Sequence, residues 1–319
     1  MNVDHSQWIE RFAMLVAETG ACAWGISDAV DLPEPIMTKL TSWVDRGNHA
    51  SMDYLRRHLP LKSSPDHVLE GCRSVVSLAF PYYSTAVRPR DALIFSRHAL
   101  GEDYHRVIKE RLRPLCAFIK DDFGGATRTC VDSAPVAERY WAVRCGLGSI
   151  GRNGLLYVPG YGSWVFLAEI LTTARLPERH GGANDWRLAE CRECTKCVDA
   201  CPGNAIIDGT IDCRRCRAYL TIECRDEELP RGVNLGRRVY GCDICQEACP
   251  LNAVCPSDSE IFRPRPELLS LTTDDIDRLD AESFKNLTRG SSLSRITLEQ
   301  LKRNAGRKDG VQPFDPQDC

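Results

Sequence analysis

Two short cysteine runs carry the strongest chemical signal in this chain. Cys191, Cys194, Cys197 and Cys201 stand as C-x2-C-x2-C-x3-C before Pro202, and Cys242, Cys245 and Cys249 stand as C-x2-C-x3-C before Pro250. The first spacing is the one bacterial ferredoxins use for 4Fe-4S clusters, where the cysteine before the proline serves the other cluster of a pair. Thiolates three residues apart on a tight turn reach different irons of one cubane, and the turn aims backbone N–H groups at the sulfides. By this crossover, Cys191, Cys194, Cys197 and Cys249 hold one cluster, while Cys201, Cys242 and Cys245 hold a second that lacks one ligand. Cys213, Cys216, Cys224 and Cys255 are candidates for the fourth position, and spacing alone does not choose among them. Zinc sites also use C-x2-C, but as pairs and not as a run of three closed by Cys-Pro.

A second motif is the formal G-x-G-x-x-G of Gly146, Gly148 and Gly151, spanning Ser149. A dinucleotide site needs a strand before it and a helix after it. The preceding APVAERYWAVRC reads as helix, so the glycines are expected in a turn or where backbone approaches something large and flat.

The elements that position these residues follow from pattern. The 319 residues suggest two domains of about 150 each. Hydrophobic residues at 43% and charged residues at 27% exclude a disordered or fibrous chain. With 41 basic and 44 acidic residues, a polyanion partner must meet a local basic patch. The N-terminus lacks a secretory pattern and no apolar run approaches the ~20 residues of a membrane span, so a cytoplasmic protein without membrane contact is expected. Reducing cytosol and the odd count of 17 cysteines argue against disulfides.

Apolar spacing predicts a helix over 6–18, buried strands over 21–27 and 74–80, and a long amphipathic helix over 104–123 that stops at Gly124-Gly125. Further expectations are a strand over 127–131, a helix over 135–145 opened by Pro135, and a strand over 164–173. ERHGGAND (178–185) reads as a linker, and in the helical tail Thr273 and Asp280 read as N-caps, with a frayed end after residue 306. The expected fold class is an α/β (α+β) N-terminal domain over 1–176, a ferredoxin-like two-cluster domain over 185–260, and a short helical tail over 261–319.

The stretches SRHALGEDYH (96–105), VDSAPVAERYWAVRCGLGSIGRNGLL (131–156), GSW (162–164), RRCRAYLTIE (214–223) and YGCDICQEACP (240–250) resemble epoxyqueuosine reductase, a likeness running over about 10–305. The resemblance implies a cobalamin-dependent enzyme that reduces epoxyqueuosine to queuosine at the wobble position of tRNA anticodons, fed by two 4Fe-4S clusters. It implies Cys216 as the missing ligand and Asp132 as the acid for the leaving oxygen, with a pKa raised by the apolar corrin face; Asp132 also suits a helix N-cap. Deoxygenating an epoxide is work for a low-valent cobalt and not for side chains alone.

Arg97, Tyr104, His105 and Glu138 are expected to line the site, and Gly148, Ser149, Gly151 and Ser163 to meet the corrin, with no histidine below the cobalt. Arg214, Arg215, Arg217, Arg237 and Arg238 form a candidate phosphate-binding patch for the anticodon stem-loop, extended by Lys302, Arg303 and Arg307. An external donor such as flavodoxin or ferredoxin is implied. His98, Ser149 and Arg152-Asn153-Gly154 depart from the family's usual residues, so pocket shape is expected to differ. Many members continue past the segment matching 305 into an RNA-touching helical-repeat extension, so weaker tRNA affinity is one expectation. The competing readings are a corrinoid reductive dehalogenase, disfavoured by the missing twin-arginine signal, and a plain iron-sulfur electron carrier.

Overall fold

The computed structural model describes residues 4–182, 186–253 and 258–306. Cys255 and the end after residue 306 lie outside these residues, as does Arg307.

The first half runs α1 (His5–Thr19), β1 (Ala23–Asp28), α2 (Glu34–Asp45), α3 (Asp53–Lys62), β2 (Ser74–Pro81), β3 (Ile94–Phe95) and α4 (Tyr104–Phe123). It continues with β4 (Thr127–Cys130), α5 (Glu138–Arg144), β5 (Ser149–Ile150), β6 (Leu156–Tyr157) and β7 (Val165–Thr172). Strands β1, β2, β7 and β4, in that order, form one sheet whose neighbours are all antiparallel. This is the α+β form of the expected class.

The sheet is covered on both sides because β2 is apolar on both. Val76, Leu78 and Phe80 face α1 and α4, where Trp8, Phe12, Ile108, Leu112, Leu115 and Ile119 are buried with them. Val75 and Ala79 face α5, against Trp141, Ala142 and Cys145. The end of α5 presses so closely on the sheet that a Cβ at Gly25 would sit 2.0 Å from the Cys145 carbonyl oxygen.

The cysteine module holds α6 (Lys196–Asp199), β8 (Ile206–Ile207), β9 (Thr210–Ile211), α7 (Arg217–Ile222), β10 (Arg238–Tyr240) and α8 (Ile244–Glu247). Short helices α6 and α8 each carry the middle of one cysteine run and pack on each other. The tail is α9 (Pro266–Ser270), α10 (Thr273–Arg278), α11 (Ala281–Thr288) and α12 (Leu298–Gly306). β10 pairs in parallel with β3. One apolar cluster joins Leu93, Phe95 and Leu100 to Val239 and Tyr240 and to Leu268, Ile276 and Leu301 of the tail.

Two sequence expectations are corrected. Pro135 does not open a helix: α5 starts at Glu138, because Val136 N–H donates back to the Ala134 carbonyl at 2.8 Å in a tight turn across Pro135 and Ala137 is non-helical at ψ 67°. The N-cap of α10 is Thr272, whose hydroxyl accepts from Asp275 N in a capping box, and not Thr273; Asp280 caps α11 as expected.

The tail is tied to the module by Asn304, which is fully buried and whose Nδ2 donates to the carbonyls of Thr221 and Val239, both at 2.9 Å. Asn304→Ala leaves two buried carbonyls unsatisfied and is expected to cost about 1–3 kcal/mol, read as a lowered urea midpoint. An unchanged midpoint would mean that the tail is not anchored there.

Candidate active site

Asp103 caps α4, its carboxylate accepting from His105 N at 3.0 Å. The same oxygen lies 2.7 Å from His105 Nδ1, so the cap also fixes the imidazole ring. On the other side, His105 Nε2 is 3.2 Å from Asp132 Oδ2, and the Tyr104 hydroxyl donates to that oxygen at 2.9 Å. Tyr104 is held flat between the ring of Phe166, 4.1 Å away at 7°, and that of His105. Asp132 in turn donates its backbone N–H to Glu138 Oε1, which holds the left-handed turn at the start of α5.

This network decides the protonation states. Burial opposes a charged His105, but the carboxylates of Asp103 and Asp132 outweigh it and push the imidazole up to about 9. Burial would raise the Asp132 carboxyl, yet His105, Tyr104 and Arg295 hold it below the usual carboxylate range. The expectation of a raised Asp132 pKa is thus reversed: the resting pair is a carboxylate beside an imidazolium. Tyr104 is driven well above its ordinary range by burial and by Asp132, so it serves as a neutral donor. Glu138 is pushed up to about 7 by burial and by the Asp132 charge.

The Asp132 side chain is 56% accessible because it stands on the wall between two cavities. The larger, about 630 Å³, has apolar walls that include Ile36, Leu40, Leu55 and Val136, and cationic groups at Lys39, Lys62 and Arg187. The smaller, about 410 Å³, is polar, with Tyr104, His105, Glu223, Tyr240 and Ser294 on its walls. Asp132, Tyr54 and Arg295 line both.

The cysteines fall into two sets. Cys191, Cys194, Cys197 and Cys249 ring one small cavity, and the first, fourth and second of these are the thiols that act on Cys197. Cys245 is pushed up to about 12, first by burial and then by Cys242, Cys216 and Cys201. Cys213 and Cys216 both border the apolar cluster of Cys224, Leu220 and Leu235, and of these three thiols Cys216 is the one that acts on Cys245.

Known proteins match this arrangement. The family model described as epoxyqueuosine reductase QueG, DUF1730, matches residues 62–133, and that of a 4Fe-4S double cluster binding domain matches residues 190–252. An epoxyqueuosine reductase of Cyclobacterium marinum is 38% identical, over 93% of this chain and 96% of its own length. The chain belongs to the epoxyqueuosine reductase family.

Another epoxyqueuosine reductase, from Vibrio cholerae, is 35% identical over 98% of this chain and 86% of its own. A crystal structure of epoxyqueuosine reductase with an epoxyqueuosine-modified tRNA stem loop superposes with a TM-score of 0.83 at 28% identity, covering 95% of this chain and 80% of that one. The Bacillus subtilis epoxyqueuosine reductase, with its catalytic loop swung out of the active site, superposes at 0.80 with 27% identity, over 95% and 81% of the two chains. As a family member with a double-cluster domain, the chain carries two 4Fe-4S clusters, and the two sets of four thiols fit them in number and grouping.

Within this epoxyqueuosine reductase fold, the other residues singled out from sequence occupy different surroundings. Glu138 lines the larger cavity, and Tyr104 and His105 line the smaller. Gly151 and Ser163 line the cavity at Cys191 and Cys249 and neither of the two that Asp132 divides. Ser163 is locked by Asn252 and Gln246 of the second cysteine run. Gly148 is required by close packing, since a Cβ there would lie 2.0 Å from the Tyr157 carbonyl oxygen, and Ser149 is buried in β5 beside it. Arg97 pairs with Glu247 at 2.7 Å and stacks over Tyr83 and Trp164. Arg214 pairs with Asp212 at 2.8 Å, Arg215 lies 4.0 Å from the same carboxylate, Arg238 pairs with Glu247, and Arg237 donates to the Ala92 carbonyl. Arg217 is half-buried and feels the charge of Cys242 and Cys201.

Sequence reasoning missed Asp103, Tyr54 and Arg295. Asp103 stood inside the quoted GEDYH, but its carboxylate shows its second use only when His105 folds back on it. Tyr54 and Arg295 meet through the fold alone and have no local signal. Iron analysis distinguishes the ligand candidates. Anaerobically purified protein should hold about eight irons by the cubane count, and Cys216→Ala should lose or impair one cluster while Cys213→Ala retains both. The opposite pattern would move the ligand to Cys213.

Proposed function

We propose that this chain reduces epoxyqueuosine to queuosine in the anticodon stem-loop of tRNA, with the nucleoside in the smaller cavity and cobalamin in the larger. The observation that carries this reading is Asp132 on the shared wall, within hydrogen-bond reach of two donors and open to both cavities. The larger cavity fits a corrin in chemical character: apolar side chains for its faces, and Lys39, Lys62 and Arg187 for its amide and phosphate groups. When bound there, cobalamin supplies the nucleophilic, two-electron chemistry that side chains lack.

The chain's own residues do the rest. The smaller cavity receives a base splayed out of the anticodon loop, which single-stranded loops permit. Tyr104 and His105 hold the Asp132 carboxylate facing the cavity, and Asp132, once it has taken up a proton, passes it to the epoxide oxygen as its bond to carbon opens. Glu138 keeps the turn in place through the Asp132 N–H. The two sets of cysteines would hold the clusters, which would supply electrons singly from an external donor such as flavodoxin or ferredoxin. Among the described residues no helix is long and apolar enough to cross a membrane, and we place the enzyme in the cytoplasm with its tRNA.

Asp132→Asn preserves the side-chain size and the left-handed turn that Asn tolerates, but removes the carboxyl group that carries the proton. It should bind cobalamin, both clusters and tRNA while forming queuosine a hundredfold to ten-thousandfold more slowly, on the order of a general acid's contribution. Near-wild-type turnover would return Asp132 to a purely structural role.

For tRNA, the arginines around the second cysteine run are our candidates for phosphate contact. Arg214, Arg215, Arg237 and Arg238 are already anchored by internal partners, so less side-chain freedom is lost when RNA arrives. Arg217→Glu should weaken tRNA binding and lower the salt slope by roughly one phosphate. An unchanged slope would make that face an ordinary solvated surface.

A further inference from the structure

Removing an epoxide oxygen as water breaks two C–O bonds and consumes two electrons and two protons. One carboxyl group delivers one proton at a time, and Asp132 rests ionised, so a single turnover has to load it twice. Among the described residues, one group is placed to do so. His105 Nε2 is 3.2 Å from Asp132 Oδ2, and the ring's other nitrogen is fixed 2.7 Å from Asp103. Tyr104 touches the same Asp132 oxygen but is far too weak an acid to give up its proton.

Resting on the functional reading above, we propose that His105 is the proton store of the reaction, loading Asp132 twice per turnover, and that Asp103 is the positioning residue that keeps it loaded. In the first step the imidazolium passes its Nε2 proton to Asp132, which protonates the oxygen as the first C–O bond breaks. His105 is then neutral, with its Nδ1–H on Asp103 and its Nε2 lone pair still aimed at Asp132. This is the tautomer that a carboxylate partner enforces in other acid–base pairs. His105 lines the smaller cavity, where water restores the Nε2 proton. The second proton follows the same route to the resulting hydroxyl, which leaves as water when the second C–O bond breaks. The two electrons from the reduced metal centres end in the carbon–carbon double bond.

Other charged and titratable groups surround the pair. Arg106 on the same helix is engaged outward with Glu102 and Glu110. His98, Glu223, Tyr240 and Arg295 line the cavity from other segments. The loaded form exists below the raised His105 pKa of about 9 and is lost as pH rises through it.

The test is a paired titration of wild type and Asp103→Asn, which keeps the N-cap but removes the charge. Histidine ring resonances of the cofactor-free protein, with His105 assigned by its absence in His105→Gln, should show a midpoint near 9 in wild type. In Asp103→Asn that midpoint should fall towards the ordinary value of about 6.5. The alkaline limb of kcat for queuosine formation should move to lower pH with it, KM unchanged, and His105→Gln should lose on the order of a hundredfold in kcat. A wild-type midpoint near the ordinary value overturns the proposal, as does a shifted midpoint with an unmoved kcat limb. Wild-type protein that forms no queuosine at any pH would instead overturn the functional reading itself.

Discussion

A carboxylate that serves neither cluster nor substrate holds the two chemistries of this enzyme in register. Asp243 is buried between Cys242, the first cysteine of the second run, and α8, where an unpaired charge would be prohibitively costly. It is satisfied from the opposite half of the chain: the Ser96 hydroxyl and the Arg97 N–H both donate to it, and the Arg97 guanidinium lies 3.8 Å away. Ser96 Oγ also lies 2.8 Å from His98 Nδ1, and seven residues after Ser96 the chain reaches Asp103 and the start of α4. The β3–β10 pairing runs alongside. The turn that carries the second cysteine run and the start of α4 are therefore tied to one another through this desolvated group, together with the Arg97–Glu247 pair and the bond from Ser96 N to the Tyr240 carbonyl. Neither can shift without exposing or stranding that charge.

What was legible in the sequence was local. The cysteine runs announce themselves because their ligands lie within a dozen residues, and α4 does so because its apolar stripe repeats along one helix. The edges were less legible. Pro135 and Thr273 both carry helix-start signals that lost to neighbouring geometry: a tight turn from Ala134 to Val136 in one case, a capping box one residue earlier in the other. Least legible were properties that depend on what the fold brings near. Ser163 meets Gln246 and Asn252 across more than eighty residues, and nothing in GSW indicates it.

Asp132 illustrates the same limit for electrostatics. A carboxyl near an apolar cavity is expected to be neutral, and burial does push it that way. Two donors and a nearby guanidinium reverse the outcome, and the proton moves to the imidazole, which two carboxylates stabilise. In the reading proposed above, the acid function then belongs to a pair, with the histidine holding charge in the resting state and the aspartate presenting it. The aromatic stack of Phe166, Tyr104 and His105 keeps the two donors in place.

The left-handed backbone at Asp132 has a consequence for which acids this position accepts. Few side chains sit comfortably at positive φ: glycine for want of a Cβ, and asparagine and aspartate because their short polar groups bond locally. Among these, aspartate alone brings a carboxyl group. Glutamate, the ordinary chemical substitute, would carry its acid one methylene further on a backbone that disfavours it, and would lose the reach that meets Tyr104 and His105 together. The length of the acid is thus set by a torsion angle, and exchanging it for another carboxylic acid means rebuilding the turn from Val131 to Val136 and not one side chain.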